Sequence, residues 1–385
     1  MIDYTLTEEQ KMLRDVARRF TDEVVRPRAA EIDRTEEAPM DIIRKAAELG
    51  FLGVVFPEKY GGSGLGETGY CLMLEEISRG CNSTAVTIGG HESLGAMAIY
   101  LAGSEQQKEK YLRPLAEGRK LATYALTEPG AGSDAGSIRT LARKNGSGYV
   151  VNGNKTFITN GNIADVIVLF AVTDPDRGVH GGITAFILEK DYPGFRAGKP
   201  EKKMGIRGSH TTDLFFEDVA VPGENVLGPP GDGFKVAMNT LDVARVSLAS
   251  QCLGSAKELL NLSIKHANGR VQFGKPIAEQ QAVQFMLAEM AADIYQTESI
   301  VYRTAWMVDR GLPFSRESAI CKLAATEAVC ATADRAMQVY GGAGYMREYP
   351  IERLYRDARV NKIFEGTNEI QHLVIARDLI RKGAY

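Results

Sequence analysis

The sequence is poor in several residue types, and each shortage removes a class of protein. It has one tryptophan, and its five cysteines form no CxxC pair and have no histidine at metal-ligand spacing. A reduced, cytoplasmic protein without a metal site is therefore expected. No apolar run approaches the roughly 18 residues that span a bilayer. The acidic N-terminus "MIDYTLTEEQ" resembles neither a signal peptide nor a transit peptide, so no membrane insertion is expected.

The sequence also lacks an excess of positive charge. Its 46 Lys and Arg stand against 49 Asp and Glu, which gives a formal net charge of -3. Nothing here predicts a general attraction to nucleic acid. At 385 residues the chain exceeds the size at which one hydrophobic core usually stops growing, so two or three domains are expected.

The period of the apolar residues changes twice along the chain. Helical spacing in "EEQKMLRDVARRFTDEVV" and "YCLMLEEISRG" predicts an all-α domain over residues 1–120. Short β-branched runs such as "DVIVLFAV" and "GITAFILEK", separated by turn residues, predict antiparallel strands of a small barrel or sandwich over 121–233. Long helical patterns return over 234–385 and predict a helical bundle. The expected class is α+β with three domains.

The segment "YALTEPGAGSD" opens a glycine-rich loop. Its glycine spacing is one residue longer than the dinucleotide fingerprint, and a hairpin pattern follows instead of a helix, which disfavours a nicotinamide-binding Rossmann unit. Two interpretations stay open for this segment. It is a plain interdomain turn, or a loop whose backbone N–H groups, Thr127 and Ser133 meet a flavin or phosphate edge.

One acid stands out as a candidate for catalysis. Glu365, in "IFEGTNEIQ", lies between a bulky apolar residue and a glycine, where one helical pattern ends and another begins. It is either a solvated loop acid near a helix N-terminus or a general base whose pKa is set by apolar neighbours. The sequence has no GxSxG or HExxH motif, so proton abstraction assisted by a cofactor suits this residue best.

Several motifs together resemble the acyl-CoA dehydrogenase family, in the family's order and over nearly the whole chain. They are "YALTEPGAGSD", "NGNKTFITNG", "KMGIRGSHTTDLFFEDVAVPGENVLG", "RVQFGKPIAEQQAVQFMLAEMA", "QVYGGAGYMREYPIERLYRDA" and "IFEGTNEIQ". The resemblance is to the short- and medium-chain branch. It implies a C-terminal four-helix bundle, FAD bound between this bundle and the β domain, and a homotetramer in which a neighbouring subunit completes each flavin site.

The resemblance also implies the roles of individual residues at matching positions. Residues implied to bind FAD are Tyr124, Leu126, Thr127, Gly132, Ser133, Phe157, Ile158, Thr159, Arg270, Phe273, Gln281, Gln338, Gly342, Thr367 and Glu369. Residues implied to hold the acyl-CoA are Ser133, Ser209, Asp242, Arg245 and Gly366.

By the same resemblance Glu365 is the catalytic base. Some relatives carry the base one residue before the arginine of "LDVARVSLAS", but this chain has Ala244 there, and a methyl group accepts no proton. The implied reaction is α,β-dehydrogenation of an acyl-CoA to a trans-2-enoyl-CoA, as in fatty acid β-oxidation. Glu365 takes the α-proton, the flavin takes the β-hydride, and the electrons then pass to an electron-transfer flavoprotein.

Two rival functions remain at this stage. The first is an acyl-CoA oxidase that hands electrons to oxygen, although such relatives are usually much longer. The second is a flavin-binding scaffold without dehydrogenase activity, which would want an extra basic domain. For the acyl group, short straight chains are expected first. Relatives that take glutaryl-CoA have an arginine near "STAVTIGGHESLG", where this chain has none.

Overall fold

The computed structural model describes residues 5–383 and begins with a helical region. Thr7 starts the first helix with a capping box, in which its hydroxyl accepts from the N–H of Gln10 and the Gln10 side chain returns to the N–H of Thr7. π-Helical turns at Thr21–Val25, Gly90–Ala96 and Lys108–Leu112 interrupt the region. The helices are α1 (Glu8–Phe20), α2 (Ala29–Thr35), α3 (Met40–Glu48), α4 (Gly66–Gly80), α5 (Asn82–Gly89), α6 (Met97–Ala102), α7 (Glu105–Gln107) and α8 (Arg113–Ala116).

A strand-rich region follows. In chain order its elements are β1 (Ala122–Ala125), β2 (Leu141–Asn145), β3 (Gly148–Thr159), β4 (Val166–Val172), the short helix α9 (Val179–Gly182), β5 (Ile183–Glu189), β6 (Phe195–Ala197), β7 (Thr211–Val221) and β8 (Val226–Leu227). They form one sheet in the order β6-β7-β3-β2-β4-β5-β8, with β1 also paired to β4.

Strand β4 shows why the central run "VIVLFAV" is continuously apolar. Val166, Val168 and Phe170 face a core shared with the N-terminal helices, whereas Ile167 and Leu169 face a second core inside the folded sheet. A strand buried on both faces has no polar side to alternate with. The sheet is thereby fixed against the helices that complete the cavity described below.

The prediction of an all-antiparallel region needs a correction. Strand β1 runs parallel to β4, in the register Ala122↔Val166, and β2 also meets β4 in parallel. Parallel pairing requires a long connection, and residues 126–165, which include the glycine-rich loop, β2 and β3, join β1 to β4. Within residues 5–383 the end strands β6 and β8 each pair with one neighbour only, so the sheet does not close into a barrel.

Long helices form the last region, as predicted. They are α10 (Gly233–Gly269), a small hairpin of β9 (Val271–Gln272) and β10 (Lys275–Pro276), then α11 (Gln281–Asp309), α12 (Ser315–Tyr340), α13 (Pro350–Arg359) and α14 (Asn368–Lys382). Helices α10, α11 and α12 pack on one another around a core that includes Val246, Leu253 and Val301. The domain limits at residues 120 and 233 stay a prediction.

No helix within residues 5–383 combines the length and the apolar character that crossing a membrane requires.

Candidate active site

A cavity of about 680 Å³ lies where the helical regions and the sheet meet. Its wall combines π-helical Gly90–Ala96, the loop after β1, the end of β3, helix α10 and the loop before α14. Helix α10 contributes Met238, Leu241, Arg245, Ser247, Leu248 and Gln251 to this wall. The cavity therefore collects side chains from all three regions of the chain.

Glu365 enters this cavity from a strained loop. Its φ is +55°, in the left-handed region that non-glycine residues rarely adopt, and Gly366 follows at +90°. This φ would strain any side chain at position 366, and an added Cβ would also lie 2.7 Å from Nε2 of Gln371. Thr367 then caps α14, because its Oγ1 accepts from the N–H of Ile370 at 3.4 Å.

Three side chains hold this loop by its carbonyl groups. Arg245 donates through Nε to the carbonyl of Glu365 at 3.2 Å. Lys322 Nζ and Gln371 Nε2 each donate to the carbonyl of Gly366 at 2.9 Å. Because the contacts reach the backbone, they fix the position of Glu365 and leave its carboxyl group available.

Glu365 is half-buried as a residue, and the buried part of its carboxyl group is poorly compensated. Oε2 of Glu365 is shielded from solvent and has no hydrogen-bond partner among the described residues. Burial raises the pKa of Glu365 to about 8, although the positive charges of Arg245 and Lys322 oppose this rise. A carboxylate in such surroundings is a strong proton acceptor. The shielded Oε2 argues against the solvated loop acid that the sequence left open, and the role of Glu365 as a base stays a prediction.

Phe157, also in the wall of this cavity, is presented by an irregularity in β3. The pairing of β3 with β7 shifts register between Lys155 and Ile158. Phe157 lies inside this bulge with φ +56° and keeps 67% of its surface exposed, while Ile158 is buried. Bulges commonly redirect side chains next to functional sites. An aromatic face is thus held at the cavity wall.

An ion pair supports the loop beside Phe157. Lys155 is fully buried, and its Nζ contacts Oε1 of Glu128 at 2.7 Å and the carbonyl of Leu126 at 2.9 Å. Glu128 also accepts from the N–H groups of Arg139 and Thr140, at 2.6 and 2.9 Å. Burial lowers the pKa of Lys155 to about 8 in spite of Glu128. The pair fixes the backbone of Leu126, next to Thr127 in the cavity wall.

The structure brings many of the predicted residues together. Those in the cavity wall are Tyr124, Leu126, Thr127, Gly132, Ser133, Phe157, Ile158, Thr159, Arg245, Glu365, Gly366 and Thr367. Those outside it are Ser209, Asp242, Arg270, Phe273, Gln281, Gln338, Gly342 and Glu369. Ser209 is fully buried, and the residues from Arg270 onward in this second set are exposed. Their predicted roles stay predictions.

Asp242 and Arg245 form an ion pair whose two members line different cavities. Oδ1 of Asp242 accepts from Nη1 of Arg245 at 2.8 Å. Arg245 lines the first cavity, whereas Asp242 lines a second of about 1040 Å³, together with Arg316 and Lys382. The ion pair therefore has one partner in the wall of each cavity.

Sequence reasoning missed two residues of this region. Gln251 on α10 is 4% exposed and lines the cavity, and no described residue hydrogen-bonds its side-chain amide. Lys322 is a fully buried lysine within the apolar pattern "SAICKLAA" of α12. The sequence does show a single polar residue at a core position of a helix in each case. It does not show which group that residue contacts, because the contact depends on packing between distant helices.

Three family models match this chain in sequence. "Acyl-CoA dehydrogenase, N-terminal domain" matches residues 7–119, the middle domain of the same family matches 123–219, and the C-terminal domain matches 231–380.

Individual relatives are similar along their full length. The short-chain specific acyl-CoA dehydrogenase of Clostridium acetobutylicum is 44% identical over 380 residues, which are 99% of this chain and 100% of that protein. The structure of butyryl-CoA dehydrogenase from Megasphaera elsdenii is 43% identical with a TM-score of 0.97, covering 99% of this chain and 100% of the other. A chain from the structural study of the electron transferring flavoprotein of Acidaminococcus fermentans is 45% identical, with the same TM-score and coverage.

Proposed function

Because the chain belongs to the acyl-CoA dehydrogenase family of FAD-dependent oxidoreductases, we propose that it dehydrogenates a short acyl-CoA thioester to the trans-2-enoyl-CoA with Glu365 as the base. One observation carries this proposal. The buried, unpartnered Oε2 of Glu365 belongs to the same cavity whose wall includes Thr127 and Phe157. A carboxylate that no protein group satisfies is free to take a proton from a ligand.

The cavity wall suits a flavin. The exposed ring of Phe157 offers an aromatic face, and Thr127 and Ser133 offer hydroxyl groups along the loop. A Cβ added at Gly130 or Gly132 would meet no atom within 4 Å, so open space lies beside the loop backbone. Bound FAD would supply the acceptor for the two electrons that leave with the hydrogen of the β-carbon.

In the proposed reaction Glu365 breaks the α C–H bond and keeps the proton on its carboxyl group, while the electrons of that bond form the new double bond. Apolar neighbours such as Phe364 and Leu248 exclude water from the carboxyl group and keep it a strong base. Arg245 holds the carbonyl of Glu365 and pairs with Asp242.

The polar lining supports a short acyl group. Leu74, Val86 and Leu248 give the cavity apolar wall, but Gln251 places a buried amide among them. A long aliphatic chain packed against that amide would remove it from water without a hydrogen bond, which costs about 1–3 kcal/mol. A short chain leaves room for water at the amide. We therefore propose butyryl-CoA as the first substrate to try.

We propose a homotetramer and an electron-transfer flavoprotein as acceptor. The hairpin after α10 exposes 94% of Phe273 and 53% of Val271, and Phe285 nearby is 59% exposed. Such a patch is typical of a subunit interface. It includes residues predicted to reach FAD across subunits, such as Arg270. The similarity to the Acidaminococcus chain supports an electron-transfer flavoprotein as the electron acceptor. We also propose that the protein acts in fatty acid β-oxidation. We place it in the cytoplasm as part of the same proposal.

The test is anaerobic mixing of the flavin-loaded protein with a panel of straight, branched and cyclic acyl-CoA esters. Loss of flavin absorbance within the time of a turnover, fastest with a short straight chain, is expected. The Glu365→Gln variant serves as the control, since it should bind flavin but reduce it slowly. If no ester reduces the flavin, the protein is a scaffold. Stoichiometric peroxide on admitting air would indicate an oxidase.

A further inference from the structure

Lys322 is a buried ammonium group that reaches the loop of the proposed base from another helix. It lies on α12 with no exposed surface, and its Nζ donates to the carbonyl of Gly366 at 2.9 Å and to Oδ1 of Asn368 at 2.8 Å. Thr326, one turn further on, also donates to Oδ1 of Asn368 at 3.0 Å. Helix α12 thus holds the loop on the C-terminal side of Glu365.

The charge of Lys322 has no carboxylate in direct contact. Both of its hydrogen bonds go to neutral oxygens, and no described carboxylate forms an ion pair with it. The groups that act on it electrostatically are Cys252 and Arg245 of α10, Glu365 of the loop and Glu369 of α14. Glu369 is exposed to solvent, which screens its charge. Glu365 is consequently the buried anion that this cation can compensate.

We propose, on the basis of the function proposed above, that Lys322 is the positioning residue for Glu365. Its hydrogen bonds fix the backbone of the loop, and its charge favours the ionised form of the carboxyl group from which proton abstraction starts. Arg245 holds the same loop from the other side. The two cations therefore share the task of keeping a buried carboxyl group usable as a base.

The pKa shifts of Glu365 and Lys322 have the directions that this arrangement predicts. Burial raises the pKa of Glu365 to about 8, and both Arg245 and Lys322 lower it from the still higher value that burial alone would impose. Burial in turn lowers the pKa of Lys322, while the negative charge of Glu365 raises it. Each group supports the charge of the other, as expected for a cation and an anion within one apolar region.

Two substitutions distinguish the effect of the hydrogen bonds of Lys322 from the effect of its positive charge. Lys322→Met removes both the hydrogen bonds and the charge at similar length. Lys322→Gln keeps a donor, on a side chain one bond shorter, but has no charge. The measurement is single-turnover flavin reduction of the holoenzyme by butyryl-CoA between pH 6 and 10, without air, as a function of pH. Flavin content and the flavin absorption spectrum report whether each variant has folded.

We expect the rise of the rate with pH to move upward by about one pH unit in both variants, because a nearby opposite charge shifts a carboxyl pKa by about 1–3 units. The rate at pH 7 would then fall about tenfold, and the loss would shrink as the pH rises. Lys322→Met should also lose rate at high pH, where Lys322→Gln recovers. Lys362→Met is the matched control, since Lys362 pairs with Glu327 at the surface side of Asn368.

An unchanged pH profile in a folded, flavin-containing Lys322→Gln would overturn the proposal. So would an equal shift in Lys362→Met. These results differ from failure of the proposed function itself, in which the unmodified protein shows no flavin reduction by any acyl-CoA. If Lys322→Met fails to fold, the pH profile of Lys322→Gln compared with that of the unmodified protein still tests the proposal.

Discussion

Two acids in the wall of the cavity differ in how their negative charge is compensated. Glu128 is fully compensated, since it pairs with Lys155 and accepts from two backbone N–H groups. Burial would raise its pKa, yet these contacts hold it below the usual value. Glu365 receives no hydrogen bond on Oε2, and its pKa rises to about 8. The first acid is held as a permanent anion, whereas the second can gain and lose a proton.

The difference teaches how to tell a structural charge from a reactive one. A buried ion pair with all its hydrogen bonds satisfied fixes geometry, and its loss damages the fold. A buried carboxyl group whose backbone is anchored but whose oxygen is free has been positioned without being neutralised. The predictions below test this contrast, in order of decreasing expected effect.

The largest effect is expected for Glu365→Gln. It should lower the rate of flavin reduction by about 10²- to 10⁴-fold, the usual contribution of one general base. Flavin content should stay normal, because the loop is anchored through backbone carbonyls. Stopped-flow absorbance without air measures the rate. A rate near that of the unmodified protein would mean that Glu365 is not the base. Glu365 and Glu128 would then both be structural residues.

Lys155→Met should instead act on stability. It leaves Glu128 as an unpaired buried charge, and breaking such a pair costs about 3–5 kcal/mol. Urea unfolding of the flavin-free protein measures this loss. The double variant Lys155→Met with Glu128→Leu should recover part of it, because no unpaired charge remains. A loss below about 1 kcal/mol for the single variant would place this pair among weak surface pairs.

Gln251→Met should change the preference for acyl chain length. Removing the buried amide removes the desolvation cost of a longer chain, so kcat/KM for hexanoyl-CoA relative to butyryl-CoA should rise about tenfold. Ser250→Ala is the control, since Ser250 lies beside it on α10 but donates to the carbonyl of Ser247 and does not line the cavity. Equal changes in both variants would contradict the role of the amide.

The smallest effect is expected for stability as a function of pH, because Glu365 is partly exposed in the flavin-free cavity and solvent screens its charge. A carboxyl group whose pKa rises on folding from about 4.5 to about 8 binds more protons in the folded state, so its contribution to stability falls as pH rises through this window. Glu365→Gln has no carboxyl group at this position, so its stability does not fall with pH for this reason. The variant should therefore gain stability relative to the unmodified flavin-free protein between pH 5 and pH 9, as urea unfolding would measure. A difference independent of pH would mean that Glu365 is not buried in solution.

Periodicity along the chain predicted the order of regions, and the resemblance to the family supplied the predicted residues that line the cavity. Glu365, Gly366 and Thr367 belong to one motif and lie in one loop. The sequence could not predict that β1 is parallel to β4, since pairing between distant strands depends on topology. Lys322 was missed for the same reason, because its partners Gly366 and Asn368 follow more than forty residues later.

Helix α10 has one further consequence. Its 37 residues form an unbroken rod of about 55 Å, at 1.5 Å per residue, with no loop interrupting the stretch from Met238 to Gln251. A binding site bordered by loops can adapt by insertion or deletion. A site bordered by a continuous helix cannot, since one inserted residue would rotate every later side chain by about 100°. On the side of the cavity that α10 forms, new acyl preferences must therefore arise by exchanging single side chains along this helix.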